Sequence, residues 1–263
     1  MKKLCHLLPG GAHLNCFLHP QKAGSASLPA LIICPGGGYS FVSPREAEPP
    51  AFKFYHMGFQ TFVLYYHIGT SAANKQPLED LASAILFVRE TEQLGVDSHR
   101  VAVMGFSAGG HLAACLGVHW SDIDLLTRTN AQGRALRPDA LALCYPVITC
   151  GQYANIPSIQ TISANSAHYD YWSVEQHVTA DTPPTFLWHT MDDALVPVEN
   201  SMLMAAALHR AGVSCECHLY ESGLHGLSVC TDEVGTQEPD VRSWIFLCNR
   251  WFIRRFGEFN AQE

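Results

Sequence analysis

The sequence predicts an α/β fold built on a doubly wound, mostly parallel sheet, and three observations carry that prediction. Short, continuous apolar runs recur along the chain, as expected of strands covered on both faces. Between them lie stretches with helical apolar spacing, so strand and helix alternate. The chain has 263 residues, 48% hydrophobic and 15% charged, enough for one α/β domain with a sizeable core.

Residues 28–35 (LPALIICP) form the first buried run and 61–68 (TFVLYYHI) the second. Residues 77–94 place Leu78, Leu81, Ile85, Phe87, Val88 and Leu94 at helical spacing, and Gly95 stops that helix. Residues 100–104 (RVAVM) read as a strand running into Gly105, and 108–118 (AGGHLAACLGV) as the helix beyond. Another strand covers 140–148 and closes at Pro146. After the Pro183-Pro184 break, 185–189 is a strand and 199–211 a helix ended by Gly212. The last core strand is 215–220, and a long helix over 240–256 carries Trp244, Ile245, Leu247, Trp251 and Phe252. Residues 1–263 show no second domain, repeat or low-complexity tract. Right-handed crossovers put any active site at the carboxyl ends of the strands.

Residues 149–182 break the rhythm, being polar, rich in Ser, Asn, His and Tyr, and without a clear period. They are either a cap or substrate-facing loop, or an irregular surface connection.

Composition narrows the function. A net charge of −8 leaves no basic stripe to neutralise phosphates, which argues against nucleic acid. Arg250, Arg254 and Arg255 read as a solvated helix face. Of ten cysteines, Cys34, Cys115, Cys144 and Cys248 sit in apolar runs, and Cys215 and Cys217 are too close for an ordinary bridge, so a reduced, cytoplasmic protein is expected. Met1-Lys2-Lys3 resembles the start of a signal peptide, but His6 and Pro9 cut the apolar stretch short. No run approaches the roughly 20 apolar residues of a membrane span. A homodimer is left open.

Gly105-Phe106-Ser107-Ala108-Gly109 sits where strand turns into helix, the setting of a nucleophile elbow. Small neighbours are needed there, because a Cβ on either flank would strike the adjoining strand and helix. The serine hydroxyl then lies at a helix N-terminus, where amides stabilise an oxyanion. Serine needs a base, and the base needs an acid to hold its tautomer. On a sheet of this kind they follow in the order serine, acid, histidine, each after a strand.

Asp192 and Asp193 both lie just past strand 185–189. Asp193 is the preferred acid because the Leu195-Val196-Pro197 segment after it re-enters the core, while Asp192 is the fallback or a partner to a nearby amide. Among 14 histidines only His225 follows the last core strand, between Gly223 and Gly226, so it is the expected base. His111 is expected to pack or hydrogen-bond beneath the site, His189 lies at a strand end, and His168 and His177 are candidates for touching substrate. Gly36-Gly37-Gly38 follows the first strand, so the amides of Gly37, Gly38 and Ala108 are the expected oxyanion donors. A phosphate loop is excluded because no Gly-Lys-Ser/Thr follows, and no dinucleotide fingerprint is present. No HExxH occurs and the histidines are scattered, so no metal or cofactor is expected.

With these motifs the chain resembles the α/β-hydrolase superfamily, and within it the carbohydrate acetyl esterases and xylan esterases related to hormone-sensitive lipase. The resemblance rests on residues 35–39 (PGGGY), 105–111 (GFSAGGH), 183–197 (PPTFLWHTMDDALVP) and 223–227 (GLHGL), and runs from about Leu31 to Phe256. In the family's Asp-x-x-Val-Pro pattern the aspartate matches Asp193. Pro35 departs from the family, replacing a histidine that often braces the glycine loop. The resemblance implies a serine carboxylesterase acting on short acyl esters, such as acetyl groups on sugars, through Ser107, His225 and Asp193 and an acyl-enzyme. The polar 149–182 segment argues against a lipase lid. A serine peptidase of the prolyl-oligopeptidase kind, or a silent hydrolase fold serving as a binding protein, are the competing readings.

Overall fold

Eight strands pair into one sheet in the computed structural model, which describes residues 1–21, 26–164 and 169–259. In chain order the elements are β1 (Lys2–Leu7), β2 (His13–Leu18), β3 (Leu28–Cys34), α1 (Glu48–His56), β4 (Gln60–Tyr65), α2 (Gln76–Glu90), β5 (Val96–Phe106), α3 (Ala108–His119), α4 (Ile123–Thr129) and β6 (Ala140–Cys144). There follow α5 (Ile156–Ser163), β7 (Thr185–Thr190), α6 (Glu199–Arg210), β8 (Cys215–Tyr220), α7 (Pro239–Arg242) and α8 (Trp244–Phe256). The strand order is β1-β2-β4-β3-β5-β6-β7-β8. All neighbours from β4 to β8 are parallel, as the alternation predicts.

The continuous apolar strands still alternate faces. Ile32, Val103, Leu143 and Leu187 pack beneath α2, α3 and α6. Ile33, Met104, Ala142 and Trp188 pack beneath α1 and α8. On that second face Trp188 stacks on Trp244 with ring centres 5.1 Å apart, both fully buried. Truncating such a core tryptophan costs about 3–5 kcal/mol.

This winding positions the site. From β3 the chain passes to β4 on one side, then returns over β3 to β5 on the other. The strand order therefore reverses at β3, and the loops leaving β3 and β5 open a crevice between them.

Three features depart from the sequence reading. The N-terminal β1–β2 hairpin is antiparallel and extends the sheet edge, where β1 exposes Lys2 and Lys3 in the manner of a protected edge strand. Helix α1 begins at Glu48 with prolines in its first turn, where a missing N–H costs nothing. Within 149–182 the structure has a helix, α5, capped by Asn155, whose side-chain Oδ1 accepts from Ser158 N at 3.2 Å.

Candidate active site

Ser107 forms the junction of β5 and α3 with φ 54° and ψ −119°, a conformation a non-glycine residue holds only when its surroundings enforce it. The amide of Ser107 donates to Cys144 O at 3.0 Å, and Val147 N donates to Ser107 O at 3.1 Å, so the end of β6 pins it. The flanking glycines are sterically required. A Cβ on Gly105 would lie 2.1 Å from Gly109 O, and one on Gly109 would lie 2.0 Å from Cys34 O.

His225, on the loop after β8, joins the other two residues singled out by sequence. Nδ1 of His225 lies 2.6 Å from Asp193 Oδ2, and Nε2 lies 2.8 Å from Ser107 Oγ. Because a carboxylate only accepts, Nδ1–H donates to Asp193, which leaves Nε2 as the acceptor for the serine proton. The imidazole packs edge-on against Tyr145 with ring centres 5.0 Å apart.

Asp193 is buried, with its side chain shielded from solvent. Its Oδ1 accepts from Leu195 N and Val196 N, each at 2.9 Å, and its Oδ2 accepts from His225 and also from His189 Nε2 at 3.2 Å. Burial alone would raise the carboxyl pKa, but the hydrogen bonds from His189, His225 and Val196 outweigh it and hold Asp193 well below the usual carboxylate range. Asp192 instead accepts from Gly223 N at 2.7 Å and thereby ties down the histidine loop. Thr190 donates to Gly223 O at 2.7 Å from the same strand end.

The glycine loop after β3 is braced from below. Gly36 N donates to the buried carboxylate of Glu46 at 2.9 Å, and Tyr145 OH donates to the other oxygen at 2.7 Å. Tyr66 OH donates to Pro35 O at 2.6 Å. Among the described residues the amides of Gly37, Gly38 and Ala108 have no acceptor in the protein. Gly37 and Gly38 face a cavity of about 370 Å³ that also exposes Ser107 and His225. Asn155, Pro157 and Ser158 form one wall, so part of the 149–182 segment borders this space. Phe41 and Leu195, both solvent-exposed, stand at its mouth.

Other histidines named from sequence lie elsewhere. His111 is buried away from the cavity beneath the glycine loop, where it joins the buried Tyr39 and Trp172. His177 does not border the cavity: its Nε2 donates to Asp170 O at 2.7 Å and its ring packs on His119. His168 lies outside the described residues. Glu46, Tyr145 and Asn200 were not singled out. Asn200 Oδ1 accepts from Ile148 N and Thr149 N at 2.8 and 3.1 Å, anchoring the start of the irregular segment. Glu46 sits in a polar, proline-rich stretch and Asn200 between Glu199 and Ser201, so neither carries a local sequence signal. Among the described residues no three His, Cys, Asp or Glu side chains cluster as metal ligands do.

The two halves of the site match different family models. The BD-FAE model matches residues 15–141, which carry the glycine loop and elbow, and the prolyl oligopeptidase family model matches residues 147–248, which carry Asp193 and His225. A solved acetyl ester-xyloside bifunctional hydrolase from Caldicellulosiruptor lactoaceticus is 35% identical with a TM-score of 0.82, covering 95% of this chain and 90% of that one. The chain belongs to the α/β-hydrolase superfamily. Two curated relatives extend the likeness of this α/β hydrolase. Endo-1,4-beta-xylanase B of Butyrivibrio fibrisolvens is 38% identical over 210 residues, 77% of this chain and 33% of that protein. Acetylxylan esterase of Xylanibacter ruminicola is 28% identical over 232 residues, 84% of this chain and 45% of that protein. The hydrolase thus spans between a third and a half of the length of these two curated relatives. Among the described residues no helix is long and apolar enough to cross a membrane.

Proposed function

We propose that this α/β hydrolase is a serine carboxylesterase that removes short acyl groups, acetyl groups on carbohydrates being the favoured substrate. The observation that carries the reading is the imidazole of His225, which bridges Ser107 at 2.8 Å and Asp193 at 2.6 Å beside three free amides. Ser107 Oγ attacks the ester carbonyl as its proton passes to His225 Nε2. The amides of Gly37, Gly38 and Ala108 hold the developing oxyanion. Collapse of the tetrahedral centre breaks the bond to the alcohol, which takes the proton from His225. Water then attacks the acyl-enzyme, giving its proton to His225, and the acid leaves as Ser107 regains a proton.

A cavity of about 370 Å³, shared between acyl group and alcohol, favours a short acyl chain. Residues 149–182 serve in this reading as a substrate-facing wall of a single domain, through Asn155, Pro157 and Ser158. The names of the relatives support an acetylated xylan-type alcohol. Ten free cysteines suit a reducing compartment, the cytoplasm. Acetate release from acetylated xylo-oligosaccharides, with Ser107→Ala as control, tests the reading. A rate maximum at eight or more acyl carbons on aryl esters would overturn the short-acyl claim.

The match of residues 147–248 to the prolyl oligopeptidase family favours one second reading, amide cleavage by the same three residues. Faster cleavage of an aminoacyl amide than of its matched ester would select it.

A further inference from the structure

Arg45 is the cavity-wall residue whose charge the esterase mechanism does not use. Its side chain is exposed, borders the same cavity as Ser107 and His225, and among the described residues makes neither hydrogen bond nor ion pair. Its neighbour Glu46 turns inward and is occupied by Gly36 N and Tyr145 OH. The other polar groups of the wall, such as Ser43, Asn155 and Ser158, are neutral.

The histidine loop runs past this guanidinium. Ser228 Oγ donates to Arg45 O and fixes the backbone of Arg45 to that loop. Gly226, directly after His225, has φ +80°, and a Cβ there would lie 2.5 Å from a terminal nitrogen of Arg45. The absence of a side chain at 226 leaves room for the guanidinium against the backbone of the residue after His225, in the wall of the same cavity. The chain as a whole carries −8, so any attraction for an anion at this cavity is local.

We propose that Arg45 is a specificity residue that favours esters carrying a carboxylate near the scissile bond. The proposal deepens the esterase reading above and rests on it. A planar guanidinium with free N–H groups pairs with a carboxylate through two parallel hydrogen bonds. That carboxylate sits either on the acyl group, as in a dicarboxylic half-ester, or on the alcohol, as in a uronic acid residue.

Two matched substrate pairs separate these sources. One is 4-nitrophenyl pentanoate against 4-nitrophenyl hemiglutarate. The other is an acetylated xylo-oligosaccharide against the same compound bearing a glucuronic acid branch. The readout is the ratio of kcat/KM within each pair, charged over neutral, for wild type and Arg45→Gln. In at least one pair the wild-type ratio should exceed the variant's by roughly three- to tenfold. Arg45→Lys should retain part of that advantage, and about 0.5 M salt should shrink it. The responding pair identifies the side on which the carboxylate sits. A ratio unchanged by Arg45→Gln in both pairs overturns the proposal, with the esterase reading intact. No hydrolysis of any of the four esters overturns both.

Discussion

Tyr39 donates its hydroxyl proton to Nδ1 of His111 across 2.8 Å, and both side chains are fully buried. The direction follows from the far side of the ring, where Nε2 faces Trp172 O at 2.8 Å and must carry the hydrogen. Tyr39 has φ 59° and ends the run of three glycines, so the chain Tyr39–His111–Trp172 ties that loop to α3 and to the segment containing α5.

Removing this tie should loosen the amides of Gly37 and Gly38 without altering the cavity wall. Tyr39→Phe is expected to lower kcat about tenfold, with KM changed less than twofold, because only transition-state contacts weaken. Steady-state kinetics on a short acyl ester measure both constants.

Burial lowers the pKa of His111 to about 4, and burial likewise lowers that of His119 to about 4, from an ordinary 6.5. The unfolded chain therefore binds more protons below pH 6.5, so stability is full above that value and is lost as pH falls towards 4. Each ring contributes up to about 3 kcal/mol to this loss. Urea unfolding between pH 7.5 and 4 should show the decline, and His119→Gln should flatten it. Asp193 acts in a lower window: its contribution is present above the unfolded carboxylate value and disappears only in stronger acid.

Neighbouring aspartates should behave differently. Asp193→Asn removes the charge that orients His225 and should reduce kcat by about 10⁴. Asp192→Asn weakens one hydrogen bond to Gly223 N and should cost less than tenfold in kcat and about 1 kcal/mol in stability. Comparable losses in the two variants would reverse the assignment of the acid.

A methyl group at position 109 would meet Cys34 O at 2.0 Å and Pro35 O at 2.4 Å, both backbone atoms that cannot rotate away. Gly109→Ala should destabilise the fold by about 2–3 kcal/mol and displace the glycine loop. Thermal unfolding and residual activity, measured together, check this.

The readability of the chain followed its burial. Strands β3 and β6 are buried throughout and show as unbroken apolar runs, and so does the second half of β5 from Val101, whereas its first half is polar and partly exposed and β1 lies at the edge and alternates exposed with half-buried residues. Helix α1 hides behind two prolines, and α5 shows the core only Ser158, Ile159, Ile162 and Ser163, too few for a clear period. In the site, Ser107, Asp193 and His225 stand at strand ends with local signatures, so sequence could single them out. Glu46 has no such signature, since its partner Tyr145 lies 99 residues away and only the folded sheet brings them together.

The most direct measurement is peptide mapping after exposure to a fluorophosphonate probe, run beside acetate release from an acetylated xylo-oligosaccharide. The account predicts a single label on Ser107, strongly slowed by His225→Ala, and acetate release abolished in Ser107→Ala. An unlabelled Ser107, or acetate release that persists without its hydroxyl, would contradict it.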